Sequence, residues 1–217
     1  MNEIQKQPAE TMEATAPVQP VPFLRRQSGA LYAAGAALLV AALAVFFVFY
    51  KSSRDDEQSM RLLGAAQSLK QFEELYARYP KSSAAPAALL AMAASRYAAG
   101  DFDAAAALYV EFAGKFPKHP MAPAAELGQA MCSEGRGEAD KALMQFNSFI
   151  LTHPDHFLHP QALFGKARCL QISGKPAEAR IVYENFIAGH PESKWRAQAE
   201  ASLQALERQM RANPGKG

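Results

Sequence analysis

The sequence predicts an all-α protein, a solenoid of antiparallel helix pairs preceded by one transmembrane helix. Hydrophobic residues make up 49% of the 217 residues, with a strong excess of alanine. Alanine is the best helix former, and no stretch alternates apolar and polar residues as a β-strand would. Two further observations predict the organisation: a long uncharged segment near the N-terminus, and a repeat of 37 residues in the remainder of the chain.

The overall charge argues against a nucleic-acid partner. The chain has 23 lysines and arginines against 21 acidic residues, whereas a nucleic-acid-binding protein usually carries a basic stripe. We therefore expect no nucleic acid among the partners.

The uncharged segment covers residues 29–50, GALYAAGAALLVAALAVFFVFY. A helix of this length reaches roughly 33 Å, enough to cross the hydrocarbon core of a membrane, and Tyr32 and Tyr50 near its ends favour the interfaces. A cleaved signal peptide would have a shorter apolar core. We expect a retained single-pass anchor in the inner (cytoplasmic) membrane. Residues 1–28, rich in proline and poor in large apolar side chains, are predicted to be a disordered tail.

The orientation of this anchor rests on the basic residues at its two ends. Arg25 and Arg26 precede it, and Lys51 and Arg54 follow it. Basic residues favour the cytoplasmic side, and Lys6 adds slightly to the N-terminal count. We expect a cytoplasmic tail and a periplasmic C-terminal domain, and the reversed topology stays open as an alternative.

Internal periodicity is the strongest signal in the sequence. Four prolines end similar segments at steps of 37 residues: Pro80, Pro117, Pro154 and Pro191. The same step links three glycines, three further prolines and four aromatic residues: Gly100, Gly137, Gly174; Pro86, Pro123, Pro160; Phe72, Tyr109, Phe146, Tyr183. It also links small residues in two columns: Ala93, Ala130, Ala167; Ala105, Ala142, Ala179.

These columns predict pairs of helices, A and B. The second set of prolines suits the first turn of helix A, glycine ends helix A in a left-handed conformation, and helix B stops near the last proline. We predict three full units, residues 84–120, 121–157 and 158–191. Residues 51–83 are predicted to form a linker helix and a half repeat, whose helix B runs from Leu69 to Tyr79. Residues 192–217 are predicted to form a capping helix and tail, which a solenoid needs for solubility.

The column pattern resembles the tetratricopeptide repeat (TPR) over about residues 84–210. The matching features are the small residue of helix A, the turn glycine, the alanine of helix B, the aromatic residue four positions later and the final proline. The usual TPR has 34 residues, and an insertion before helix A would account for the longer period. The layout of anchor and repeats is similar to that of bacterial envelope TPR proteins of the YfgM-like, BamD-like and CpoB-like kinds.

The resemblance implies a scaffold that binds a protein or peptide on a concave face lined by helix A. Three registers of helix A give the candidate partner-binding residues: Leu90, Ala94, Tyr97, Leu127, Met131, Glu134, Phe164, Arg168 and Gln171. A groove with an apolar floor and a few polar groups suits a peptide or an unfolded segment. As an alternative, Leu90, Leu127 and Phe164 pack against neighbouring helices. The Lys and Arg pattern of a carboxylate clamp is not evident, which disfavours an acidic C-terminal tail as the partner.

No pattern of residues points to catalysis. The sequence has no phosphate loop, GxSxG or HExxH motif, so we expect no enzyme, no cofactor and no small-molecule substrate. The run HPDHFLHP holds three histidines and suggests zinc, but its positions match loops of the repeat and we expect no metal. Cys132 and Cys169 fall in one column of helix A. Because packed helix axes lie about 8–10 Å apart, a disulfide between them is disfavoured.

Three functions remain open from the sequence. The first is a periplasm-facing scaffold that contacts translocating chains or envelope chaperones, as an ancillary translocon factor would. The second is an assembly factor for another envelope complex, and the third is a cytoplasm-facing TPR adaptor.

Overall fold

The computed structural model describes residues 22–212, with side chains from residue 38 onward. That part of the chain forms nine α-helices and no strand: α1 (Pro22–Ala65), α2 (Leu69–Arg78), α3 (Ala85–Ala98), α4 (Phe102–Lys115), α5 (Ala122–Gly135), α6 (Ala139–Thr152), α7 (His159–Ile172), α8 (Pro176–Gly189) and α9 (Arg196–Ala212). The all-α class predicted from the sequence is confirmed. Most of the predicted disordered tail, residues 1–21, lies outside the described residues, and residues 22–28 form the start of α1.

The chain divides into two units, residues 1–51 and 52–217. In the first unit, the described side chains of residues 38–50 are hydrophobic and exposed all around α1. The exposure of the large ones lies between 51% for Tyr50 and 72% for Leu38 and Phe49. A helix that is apolar on every side differs from the amphipathic helices that pack on a soluble core.

No helix in the described part of the chain is both long and apolar enough to cross a membrane. The predicted span of residues 29–50 is therefore not supported by the structure. Side chains are described for only 13 residues of this segment, 38–50, which correspond to about 20 Å of helix. The side chains of residues 29–37 are not among the described ones.

The second unit is an α-solenoid whose repeat matches the 37-residue step. The A helices α3, α5, α7 and α9 begin at residues 85, 122, 159 and 196, and the B helices α4, α6 and α8 begin at residues 102, 139 and 176. Every described helix from α2 onward packs against the next one along the chain. α9 begins where a fourth helix A would begin.

The residues that the repeat conserves between units set the helix ends. Pro86, Pro123 and Pro160 lie in the first turn of α3, α5 and α7, where proline loses no hydrogen bond. Gly100, Gly137 and Gly174 have φ angles of +79°, +77° and +74°, so glycine is required at the turn from helix A to helix B.

Alanine and aromatic residues form the core between the helices. The six alanines of the two predicted columns, on A and B helices, are fully buried. Phe112, Phe149 and Phe186 fill the space further along each B helix and are at most 3% exposed. Small residues at the crossing and large rings beyond it let the two helices of a pair approach closely and then diverge.

The last residues of α1 stand in the place of a helix A for the first unit of the solenoid. The Asp56 carboxylate accepts a hydrogen bond from the Ser83 backbone N–H at 2.8 Å, and the Tyr79 hydroxyl donates to Gln58 at 2.9 Å. Leu63 packs on the cluster that contains Leu75. α2 then acts as helix B, and its capping box between Ser68 and Gln71 starts it at Leu69.

Candidate partner-binding face

The A helices come closer to one another than the B helices do. α3 contacts α5, and α5 contacts α7, whereas no contact of that extent joins α4 to α6 or α6 to α8 among the described residues. In a solenoid the inner, concave side is the one where successive helices are closest. The surface of α3, α5 and α7 that faces away from the B helices is called the A face below.

Two of the predicted binding residues are not on this surface. Leu127 and Phe164 are each 2% exposed and belong to the core clusters around Ala130 and Phe186. Both side chains therefore pack against neighbouring helices, the alternative that the sequence left open, because a large apolar side chain in this column fills the gap between adjacent helices. Leu90, in the same column, is partly buried against the cluster of Leu89 and Phe112.

The centre of the A face is an ion pair between neighbouring A helices. Arg168 on α7 donates from Nε to Glu134 Oε1 at 2.6 Å and from Nη2 to Glu134 Oε2 at 2.8 Å. This two-point geometry is the strong form of the arginine–carboxylate contact. The Arg168 side chain is 44% exposed and that of Glu134 is 13% exposed. The hydrogen bonds to Glu134 raise the pKa of Arg168 further above its usual range.

Two tyrosines, the partly exposed Tyr97 and the buried Tyr183, interact electrostatically with this pair. Burial raises the pKa of Tyr97, on α3, and the negative charge of Glu134 raises it further. Burial also raises the pKa of Tyr183, on α8, whereas hydrogen bonds to Ser202 and Gln171 lower it. Tyr97, Glu134 and Gln171 occupy one column of the repeat, and with Arg168 they form a polar row that crosses three successive A helices.

Smaller side chains complete the A face. Ala94 is exposed and Met131 is partly exposed, and the Met131 sulfur accepts a long hydrogen bond from the Gln161 amide at 3.5 Å. The face thus combines one neutralised charge pair, uncharged hydrogen-bonding groups and patches of apolar surface. These are groups that can hold a polypeptide segment, and the arrangement contains no nucleophile paired with a base.

The two cysteines are buried free thiols. Burial raises the pKa of both Cys132 and Cys169 to about 11. Since the thiolate is the reactive form, neither side chain is suited to nucleophilic or redox chemistry at neutral pH.

The histidines have structural roles in the turns between helix B and the next helix A. His119 Nδ1 accepts from the Met121 backbone N–H at 3.1 Å, and His156 Nδ1 accepts from Leu158 N–H at 3.2 Å. His153 Nε2 lies 2.9 Å from Glu126 Oε2. Within residues 38–212, no group of three or more His, Cys, Asp or Glu side chains is placed to hold a metal ion.

Sequence reasoning missed two features. The first is the Glu134–Arg168 pair as a unit, since the two residues occupy different columns of the repeat. The second is a column of small residues on helix A, Ala91, Gly128, Gly165 and Ser202. A Cβ at Gly128 or Gly165 would overlap the ring of Tyr109 or Phe146 on the preceding helix B. The fixed spacing between this column and the aromatic column, 19 residues in each case, could have revealed it.

Comparison with solved structures supports the same fold. TPR-like repeats of a Podosopora anserina protein described as a kinesin light chain align with a TM-score of 0.56 and 16% identity, over 76% of this chain and 89% of that one. A tetratricopeptide repeat protein from Parabacteroides merdae aligns with a TM-score of 0.51 and 16% identity, over 73% and 60% of the two chains. At this identity the likeness concerns the fold alone.

Comparison at the level of sequence identifies the family. No curated protein matches the chain. The family model described as a tetratricopeptide repeat-like domain matches residues 50–208, which include the whole solenoid from the end of α1 to most of α9. The chain therefore belongs to the tetratricopeptide repeat-like family.

Proposed function

We propose that the protein is a non-catalytic scaffold that binds a segment of another protein on its A face. The observation that carries this proposal is the row of Tyr97, Glu134 and Gln171, which share one column of three successive A helices, together with Arg168, which is bonded to Glu134. Helices of one repeat bury their apolar sides against their neighbours, so an aligned row of polar groups that are exposed or partly exposed is available for a ligand. TPR folds typically serve as interaction scaffolds, which agrees with this assignment.

Photo-crosslinking tests the location of the binding surface. A photoreactive amino acid placed at Met131, on the A face, is expected to trap a partner protein in cell membranes. The matched control is Met144, which is 67% exposed on helix α6 and lies off the A face. Equal crosslinking from both positions, or trapping only from Met144, would show that the A face is not the binding surface.

We also propose that residues 29–50 hold the scaffold at the bacterial inner membrane, with the solenoid in the periplasm. Support comes from the 22 uncharged residues of this segment and from the exposed apolar side chains of residues 38–50. Exposed apolar surface of this extent usually marks a membrane or a protein contact. The envelope proteins of the YfgM-like kind, with an anchor followed by repeats, suggest contact with translocating chains or with envelope chaperones.

A pair of reporter fusions tests this placement. A C-terminal fusion to a reporter that works only in the periplasm is expected to be active, and the matching cytoplasm-only reporter is expected to be silent. The reverse result would identify a cytoplasm-facing adaptor. Release of the protein from membranes by alkaline carbonate would show that residues 29–50 are not an integral anchor.

The crosslinking experiment also distinguishes the two envelope roles. Recovery of translocon components or of a periplasmic chaperone from Met131 supports the first role. Recovery of subunits from a different envelope complex, without translocon components, would instead support an assembly factor of the BamD-like or CpoB-like kind.

A further inference from the structure

The charges of the A face cancel within the protein itself. Of the residues predicted for this face, only Glu134 and Arg168 are charged, and they are bonded to each other at two points. Arg96, another arginine in an A helix, pairs with Glu73 and Asp101. Lys166 lies two residues from Arg168, which corresponds to about 200° around the helix, so it points to a different side of α7.

Glu134 thus occupies the position that the carboxylate of a ligand would need in order to bind Arg168. An incoming carboxylate would either bind the remaining Arg168 donors next to the negative charge of Glu134, which repels it, or displace Glu134, whose side chain is only 13% exposed. Displacement would leave that charge poorly solvated and without its partner, which is strongly unfavourable. The pair therefore resists a ligand that carries its own carboxylate at this point.

Arg168 keeps donors for a neutral ligand. A guanidinium has five N–H groups, and the pair with Glu134 uses two of them, which leaves three. Backbone carbonyl oxygens of an extended segment can accept from these donors. The partly buried Tyr97 and Gln171, on either side, offer further hydrogen-bonding groups, while Ala94 and Met131 offer apolar contact.

We propose that Glu134 is a specificity-determining residue, which makes the A face select an uncharged, internal segment of a partner chain and reject segments that carry carboxylates. This inference rests on the proposed function, because it assumes that the A face is where the partner binds. It commits to one kind of ligand: an extended polypeptide segment without acidic side chains or a free C-terminus at the point where it crosses from α5 to α7.

Two peptide pools test the proposal on the full-length chain in detergent micelles. The first pool contains amidated nonapeptides of Ser, Gln, Ala, Leu and Phe, and the second is identical except for Asp at every third position. Retention on the immobilised protein is measured by mass spectrometry. The wild type is expected to retain the uncharged pool about tenfold better than the acidic pool. This ratio corresponds to a difference in binding free energy of about 1.4 kcal/mol.

Substitution of Glu134 is expected to reverse this preference. In Glu134→Gln the side chain keeps its size but loses its charge, so Arg168 is free to bind a carboxylate, and retention of the acidic pool should rise about tenfold. The double variant Glu134→Gln with Arg168→Gln should lose that gain. Glu126→Gln, which removes an exposed carboxylate from the same helix, should leave the ratio unchanged. Circular dichroism verifies that each variant is folded.

The possible outcomes separate the inference from the proposed function. If the wild type retains the acidic pool as well as the uncharged pool, or if Glu134→Gln leaves the ratio unchanged, Glu134 does not set the specificity although the face still binds peptides. If neither pool is retained by any folded variant, the A face does not bind peptide segments, and the proposed function fails together with the inference.

Discussion

At the scale of single residues, two glycines of the A helices pack tightly against aromatic rings. Gly128 faces Tyr109, and Gly165 faces Phe146, one repeat later. Phe146 is fully buried, and Tyr109 is partly buried, which raises its pKa to about 12. Glycine in the middle of a helix costs up to about 1 kcal/mol relative to alanine, so its presence here indicates that close approach of the ring outweighs that cost.

This packing predicts opposite effects for two Gly→Ala substitutions in helices. Gly165→Ala is expected to lower the free energy of unfolding by about 1–3 kcal/mol, because the new methyl group overlaps the ring of Phe146. Gly114→Ala, in α4, is the matched control: no atom lies within 4 Å of its added Cβ, and it should raise stability by about 0.5–1 kcal/mol. Urea unfolding followed by circular dichroism measures both. Stabilisation by Gly165→Ala would show that the ring moves aside at little cost.

The residue scale is also where prediction of the site from sequence was least complete. The registers of helix A identified Tyr97, Glu134, Arg168 and Gln171, because periodicity places them on one stripe. Periodicity could not distinguish Leu127 and Phe164 from residues of the exposed surface. They recur on a similar side of helix A, but their side chains fill the gap to the next helix. Whether a large apolar residue lies on a groove floor or in the core depends on the distance between helices, which a single sequence does not contain.

At the scale of elements, the turns from helix B to the next helix A have a repeated hydrogen-bonding device. One column, Ser82, His119, His156 and Ser193, supplies a side-chain acceptor or donor to the turn; in three of the four turns it accepts the backbone N–H two residues later. A histidine can accept at Nδ1 only when that nitrogen is unprotonated. The sequence predicted the loops but not this role. Serine and histidine differ in size and chemistry, and they resemble each other here only because both can accept a hydrogen bond.

The turn between α6 and α7 is therefore expected to weaken in acid. Burial, and then the charge of His153, lower the pKa of His156 below its usual value of about 6.5. The unfolded chain then binds the proton more readily, so the stabilisation is complete above about pH 6.5 and is lost as pH falls through the lower pKa of the folded state.

His156→Ser tests this explanation, because serine occupies the same column in Ser193 and accepts the equivalent hydrogen bond at 3.2 Å. The variant should lose less stability than the wild type between pH 7.5 and pH 5.5, as measured by the urea midpoint at each pH. An identical loss in the two proteins would show that His156 is not the group responsible.

α9 shows how the repeat pattern ends. Its Leu206 takes the column of Cys132 and Cys169 and is 2% exposed in the core, but Gln204 takes the column of the buried alanines Ala93, Ala130 and Ala167 and is exposed. α9 therefore packs against α8 on one side and presents polar groups where a further helix B would pack. The capping role predicted from the amphipathic pattern stays a prediction, and the exposed Gln204, in place of a buried alanine, agrees with the polar outer face that such a helix has.

At the scale of the whole solenoid, each helix packs chiefly on its neighbours in sequence, and α3 and α7 each also meet α5. Such a chain behaves as a row of coupled units, in which a local defect weakens adjacent units more than distant ones. The 37-residue step predicted this organisation well, because it repeats every packing interface. The membrane placement was not predictable to the same degree, since it depends on one segment without an internal copy for comparison.

Trp195 makes this coupling measurable, because it is the only tryptophan in the chain and lies in the core cluster of α7, α8 and α9. Leu75→Ala removes a side chain of α2 that is 2% exposed and should cost about 2–5 kcal/mol locally. The helical signal should then begin to unfold at lower urea, while the midpoint of Trp195 fluorescence changes much less. Leu206→Ala, in the cluster of Trp195, should instead lower the fluorescence midpoint directly. Equal shifts of that midpoint in both variants would mean that the solenoid unfolds as a single cooperative unit.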